Sequence, residues 1–218
     1  MTGQASRACV VVFGREPTAR RVKTRLAAGI GGRAAARVYA VALEHTLAVT
    51  VGSGARVVLS LAGPPSAAWA REIDVQIELQ SIGDLGDRMA DAFRRRFAEN
   101  ETRVMIVGSD CPWMTADHLR SVTIALEETD VVLGPAVDGG YWLVGQRPPG
   151  VDIFSDIPWS SHNTLDQTRR RLAEIDGSWT EIEQLRDIDT REDLLAALED
   201  PSLPEELRRR LRDAAGTS

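Results

Sequence analysis

Two hydrophobic rhythms alternate along the chain. Short unbroken apolar runs read as strands buried on both faces: Ala8 to Phe13, Arg56 to Leu61, Val104 to Val107 and Asp130 to Leu133. Val75 to Leu79 alternates as a further strand, and Tyr141 to Gly145 is a short one. Between them apolar residues recur every three or four positions, the helical spacing. The first such stretch, Arg33 to about Val51, carries Val38, Val41, Ala42, His45, Leu47 and Ala48 on its stripe. A turn at Gly63-Pro64-Pro65 leads to a short helix around Trp69. A helix with Met89, Ala92, Phe93 and Phe97 on one face follows the glycine-bearing segment Gln80 to Met89, and its Arg94-Arg95-Arg96 run is assigned to the solvated face. Thr115 to Glu127 buries Leu119, Val122 and Leu126, with His118 off the stripe. Beyond Ile153 to Trp159 come a helix at about Leu165 to Ile175, a strand near Trp179 to Leu185, the acidic turn Asp187 to Thr190 and two closing helices, the last charged and placed at the edge. Strands alternating with helices predict an α/β fold with a mostly parallel sheet.

The 218 residues suit one domain spanning 1–218, with no Pro/Gly/Ser-rich linker to divide them. A formal net charge of -6 argues against a nucleic-acid or anionic-membrane partner. Neither an apolar leader nor a run of membrane-spanning length is seen, so a cytoplasmic location is expected. Cys9 opens the first strand and Cys111 follows the end of a neighbouring one. They should lie roughly 15 Å or more apart at about 3.3 Å per residue, too far for a disulfide. Cys111 as a nucleophile is a minor alternative, with no histidine near it in sequence.

The chemistry gathers where strands end. The run Val104 to Val107 stops at Gly108-Ser109-Asp110-Cys111-Pro112, and ligands of open parallel sheets bind beyond the carboxyl ends of the strands. Asp110 is therefore placed where a metal-bound phosphate would sit, or else is a turn former or helix cap near Thr115. After the first strand, Gly14 to Leu26 carries five cations, Arg15, Arg20, Arg21, Lys23 and Arg25, either a phosphate-binding loop or a solvated charged one. It is not a P-loop, since Val22 rather than glycine precedes Lys23. The segment Gly29 to Ala34 mimics a dinucleotide fingerprint but lies too far from the strand, and is read as a loop that starts the next helix. Gly134-Pro135-Ala136-Val137-Asp138-Gly139-Gly140-Tyr141 suits either a close ligand approach or a hairpin turn.

Taken in order, the basic loop, Gly-Ser-Asp-Cys-Pro, Gly-Pro-Ala-Val-Asp-Gly-Gly-Tyr and Asp-Ile-Asp-Thr-Arg-Glu-Asp-Leu at 187–194 resemble a bacterial family labelled radical-SAM/selenodomain-associated transferase, or glycosyltransferase-like. That family lies within the GT-A nucleotide-diphospho-sugar transferase superfamily, and the resemblance runs from the first strand to about Leu198. One departure is that Pro17 is followed by Thr18-Ala19-Arg20, where the family has a glycine before Val-Lys-Thr-Arg-Leu.

The resemblance implies a three-layer α/β/α sandwich in which the first strand neighbours the one ending at Asp110. It implies Mg²⁺ or Mn²⁺ held by Asp110 and Asp189, with Asp187 the less favoured substitute and Asp193 serving the start of the next helix. Two carboxylates plus phosphate oxygens suit octahedral Mg²⁺. Lys23 and Arg25 would steady a triphosphate, Gly14, Arg15, Arg88, Gly139, Gly140 and Tyr141 would contact nucleotide or substrate, and Asp138 is the candidate base. Arg88 is equally read as a helix-start ion pair. Trp113, Tyr141, Trp142 and Trp159 are candidates for stacking, Tyr141 first. His162 is a candidate third metal ligand or, preferably, a surface-loop histidine. The reaction expected first is nucleotidyl transfer from a nucleoside triphosphate to a small acceptor. The alternatives are glycosyl transfer from a nucleotide sugar and a non-catalytic nucleotide-binding module. A homodimer is among the expected assemblies.

Overall fold

The computed structural model describes residues 8–19, 22–159, 163–175 and 177–216. Arg20, Arg21 and His162 lie outside these described residues. Among the described residues seven strands, β1 (Ala8–Gly14), β2 (Arg56–Leu61), β3 (Gln76–Leu79), β4 (Arg103–Val107), β5 (Val131–Pro135), β6 (Tyr141–Gln146) and β7 (Trp179–Glu181), form one sheet in the order β3-β2-β1-β4-β6-β5-β7. β6 runs against both its neighbours, β4 and β5, and the other pairings are parallel. As expected, β1 lies beside the strand that leads to Asp110, with Val12 in register with Val107.

Among the described residues eight helices accompany the strands: α1 (Thr24–Ile30), α2 (Gly32–Gly52), α3 (Ala67–Ala70), α4 (Leu85–Ala98), α5 (Ala116–Ala125), α6 (Thr164–Glu174), α7 (Arg191–Glu199) and α8 (Glu205–Ala215). The period of two in β1 decides the layers. Val10 and Val12 face Tyr39 and Leu43 of α2 and Leu119 and Val122 of α5, whereas Cys9 and Val11 face Met89 and Phe93 of α4 and Leu165 and Leu172 of α6. Both sheet faces are thus covered, giving the three-layer sandwich. Among the described residues no helix is long and apolar enough to cross a membrane.

Three local expectations are corrected. Helix α1 starts at Thr24, inside the stretch read as loop, and its end at Ile30 hands over through Gly31 to α2. The closing helix α8 is charged, as expected, but it is also a core element, because Leu207 and Leu211 are buried with Leu26, Val38 and Leu198 in a third core. Arg96 does not lie on the wet face: it is 2% exposed. Positions 89, 92, 93, 96 and 97 follow the i, i+3, i+4, i+7, i+8 pattern, so Arg96 falls on the buried stripe of α4. There it donates to Glu78 and Glu99, each at 3.0 Å. Arg94 is exposed and Arg95 partly so, and both pair with Asp91.

Candidate active site

The site lies at the carboxyl ends of β1, β2, β3 and β4. It is organised by Lys23, which breaks two local rules. Its backbone is left-handed, at φ 48° and ψ 54°, a region that costs a non-glycine residue about 1–3 kcal/mol. It also puts a cation at the start of α1, where the helix dipole opposes it. This conformation aims the side chain inward, where Nζ lies 2.7 Å from Asp110 Oδ2 and 3.6 Å from Asp189 Oδ1 with 8% of the side chain exposed. Burial alone would lower the lysine pKa. The charge and hydrogen bond of Asp110 outweigh it, with Asp187 and Asp189 adding, so the group is held above its ordinary value and stays charged. Arg25, two residues on and with 71% of its side chain exposed, reaches Asp189 Oδ2 at 2.6 Å.

Backbone bonds fix the surrounding loops. The Ile188 amide donates to the Asp110 carbonyl at 3.0 Å, which sets the acidic turn against the end of β4. Tyr39 of α2 ties the mouth together: its hydroxyl accepts from the Arg15 amide at 3.0 Å and meets Ser109 Oγ at 2.8 Å. Neither Tyr39 nor Ser109 stands out in sequence. Tyr39 lies on the helical stripe, where it looks like core, and Ser109 looks like turn chemistry.

A cavity of about 530 Å³ opens over these groups and is lined by Gly14, Arg15, Lys23, Arg25, Arg88, Asp110 and Asp189. Most of the residues predicted from widely separated segments are therefore brought together. Arg88 is not a helix-start ion pair; its guanidinium donates to the Gly83 carbonyl at 2.9 Å, and Asp84 and Asp87 cap α4 between themselves.

A second cavity of about 640 Å³ adjoins the first, and both are lined by Arg25, Leu85 and Asp110. Asp138, Gly140, Tyr141, Trp142, Trp159 and Asp187 line its far side. Asp138 and Gly140 come from the turn between β5 and β6, so the hairpin reading and the ligand reading of that segment are compatible. Gly139 adopts φ 87°, where a β-carbon would be strained, and its carbonyl accepts from the Leu165 amide at 2.9 Å. Asp138 Oδ1 accepts from the Gly140 amide at 2.9 Å. Trp159 lies edge-on to Tyr141, centroids 6.5 Å apart, and rests on Gly86, where a β-carbon would come within 2.4 Å of its indole nitrogen. Trp113 is elsewhere, its indole donating to Asp200 at 2.8 Å.

Asp187, the less favoured carboxylate of the acidic turn, faces this second cavity. Burial pushes it up to about 6, the charge of Asp110 and, more weakly, Asp138 act in the same direction, and Lys23 opposes them. Asp193 caps α7 with Thr190, as expected. Asp110 is not the cap of α5, because Thr115 accepts the His118 amide there. Cys111 is 2% exposed and burial pushes its thiol far up, which removes the nucleophile reading; both cysteines are free. His45 is half-buried and hydrogen-bonded to the backbone of Pro112 and Met114.

Among the described residues no group of three or more His, Cys, Asp or Glu is arranged to hold a metal. The donor chemistry nonetheless fits Mg²⁺ or Mn²⁺, which take one or two carboxylates and complete their shell with water and phosphate oxygens. Asp110 and Asp189 offer such oxygens, with Lys23 now between them.

The family model described as "Uncharacterized protein conserved in bacteria (DUF2064)" matches residues 43–161, more than half of the chain. The chain belongs to the DUF2064 family. No curated protein matches it in sequence. Among solved structures, this DUF2064 chain is similar to a provisionally assigned nucleotide-diphospho-sugar transferase from Desulfovibrio desulfuricans G20, at 24% identity and TM-score 0.86, with 96% of each chain covered. It is also similar to 4-diphosphocytidyl-2C-methyl-D-erythritol synthase from Anaerococcus prevotii DSM 20548, at 11% identity and TM-score 0.57 over 88% of this chain and 94% of that one. Rv0371c from Mycobacterium tuberculosis H37Rv, solved in complex with manganese, is 19% identical with TM-score 0.53 over 89% of this chain and 99% of that one. These likenesses establish the fold as that of nucleotide-diphospho-sugar transferases. The radical-SAM/selenodomain association remains a resemblance of sequence.

Proposed function

We propose that this DUF2064 protein is a metal-assisted nucleotidyltransferase, with a nucleoside triphosphate in the first cavity and a small acceptor in the second. The observation that carries this reading is the convergence of Arg15, Lys23, Arg25 and Arg88 on one cavity that ends at Asp110. Four cations suit a polyanionic chain of phosphates, and such transfer needs positioning and positive charge more than a covalent nucleophile. Solved relatives in fold include a 2-keto-3-deoxy-manno-octonic acid synthetase complexed with CTP, which supports a triphosphate donor.

In this reading the ligand's phosphates displace the carboxylates as partners of Lys23 and Arg25. The Tyr39–Ser109 strut holds the loops after β1 and β4 at a fixed separation. The acceptor oxygen attacks the α-phosphorus, the bond to the bridging oxygen breaks, and pyrophosphate leaves. A divalent cation held by Asp110 and Asp189 would supply charge neutralisation on the reacting and leaving phosphate oxygens.

Calorimetry and thermal shift with GTP, CTP, UTP, UDP-glucose and GDP-mannose, each with and without Mg²⁺, test this on wild type and Asp110→Ala. A triphosphate that binds with Mg²⁺, and is lost in the variant, supports the reading. The presence of Asp138 in the second cavity favours one alternative, glycosyl transfer with Asp138 as base. Binding of a nucleotide sugar and of no triphosphate, with the sugar transferred to an acceptor, would establish that alternative instead.

A further inference from the structure

The two cavities meet at Asp110 but differ in charge. The first sets four cations, Arg15, Lys23, Arg25 and Arg88, against Asp110 and Asp189; the second presents Asp110, Asp138 and Asp187, with Arg25, shared with the first, the one cation among its described lining residues. Arg25 is already committed to Asp189 at 2.6 Å. A phosphate or carboxylate seated there would meet three like charges and no cation of its own. A carboxylate does favour hydroxyl and ammonium donors, and Asp138, anchored through Oδ1 by the Gly140 amide, keeps its second oxygen as an acceptor. The aromatic wall adds a second preference. Tyr141, Trp142 and Trp159 line the same cavity, and aromatic faces take the C–H face of a sugar ring or a cation.

We infer that the second cavity binds the acceptor as an uncharged or cationic polyhydroxylated molecule, a sugar or amino sugar, whose hydroxyl is the nucleophile, and that it rejects phosphorylated acceptors. This rests on the donor reading of the first cavity. The acceptor hydroxyl oxygen forms a bond to the α-phosphorus of the nucleoside triphosphate, the α–β bridging P–O bond breaks, pyrophosphate takes that electron pair, and the hydroxyl proton passes to the Asp138 carboxylate. A divalent cation on Asp110 and Asp189 does not alter the preference, since the donor's own phosphates more than offset it. Asp138 and Asp187 remain facing the acceptor.

The test has two separable readouts. Calorimetry with the triphosphate panel and Mg²⁺ reports the first cavity. Saturation-transfer NMR and Trp fluorescence titration with glucose, glucosamine and glucose 1-phosphate, on protein saturated with the bound triphosphate, report the second. The expected result is that glucose and glucosamine bind at least tenfold more tightly than glucose 1-phosphate. Asp138→Asn should weaken glucosamine about tenfold, and Asp138→Lys should reverse the preference towards glucose 1-phosphate. Triphosphate binding together with tighter binding of glucose 1-phosphate by wild type overturns the acceptor inference and leaves the donor reading standing. The acceptor inference is overturned equally if no sugar binds the loaded protein, or if the Asp138 variants keep the wild-type order. Failure of every triphosphate to bind overturns the donor reading and the acceptor role with it. Asp138 sits in an exposed turn, so both variants should fold, and their thermal melts check this.

Discussion

Each end of the sheet buries a cation among carboxylates, with opposite consequences. At the carboxyl ends of the strands, Lys23 lies between Asp110 and Asp189 beneath an open cavity. At the amino ends, Arg96 donates to Glu78 and Glu99, and Arg56 extends the network to Glu99 at 2.6 Å and Glu101 at 3.0 Å. Arg96 is the more buried of the two, and its Nε and Nη1 lack hydrogen-bond partners. What separates them is solvent. Lys23 borders space that a ligand can fill, and its backbone is strained, whereas Arg96 rises from a regular helix into packed protein. A buried cation among acids thus marks a site only when a cavity opens onto it.

The sharpest way to break this comparison is to exchange each cation for methionine. Lys23→Met should cut turnover by about 10²–10³, the scale for removing one preorganised charge-stabilising group. Stability should change by only about 1 kcal/mol, because Asp110 and Asp189, each about a third exposed, can rehydrate. Arg96→Met should do the reverse. Breaking a buried pair from one side costs about 3–5 kcal/mol, and here about 3, since Glu99 reaches solvent. That lowers Tm by about 6–12 °C for a chain of this size, with activity per folded molecule unchanged. Melting curves and active-site-normalised rates decide it, and equal melting losses in both variants would erase the distinction.

A smaller effect follows from Asp187. Its folded-state pKa, about 6 against an ordinary 3.8, means the native chain holds a proton that the unfolded chain has already released between those values. Its contribution to stability is therefore greatest below about pH 4 and is lost as pH rises through about 6. Asp187→Asn should flatten that part of the stability profile and raise Tm relative to wild type at pH 7. A pair of melting-temperature series from pH 4 to 8 measures the difference. The smallest expected effect sits two residues from Arg96: Arg94→Ala, removing an exposed partner of Asp91, should shift stability by no more than about 0.5 kcal/mol by urea titration.

Local physics makes much of the chain legible. The apolar runs of β1 and β4 can be satisfied only by burial on both faces, and Gly108-Ser109-Asp110 ends β4 in a loop. Such strand ends mark Asp110 and the basic segment after β1 as candidates, and it was the family resemblance that set the two strands side by side, a pairing the structure shows. Arg96 escapes such a reading although the spacing of Met89, Ala92 and Phe93 points to it, because its charge argues for solvent more strongly than its position argues for the core. Of the partners that neutralise it, Glu99 stands three residues on at the end of the same helix, but Glu78 comes from β3, which sequence spacing does not join to α4.

What the amino-acid sequence determined by itself was the set of elements apart from α1, the sheet type and the chemical inventory of the loops, all of which depend on neighbours a few residues apart. Tertiary structure alone decided which charges meet. The Tyr39–Ser109 strut, the docking of Ile188 on Asp110, and the meeting of Asp138 with Asp187 at the second cavity and of Arg25 with Asp189 at the first join residues far apart in the chain, from 49 positions (138 to 187) to 164 (25 to 189). Such pairings have no local signature, since they arise from the order and register of strands across the sheet.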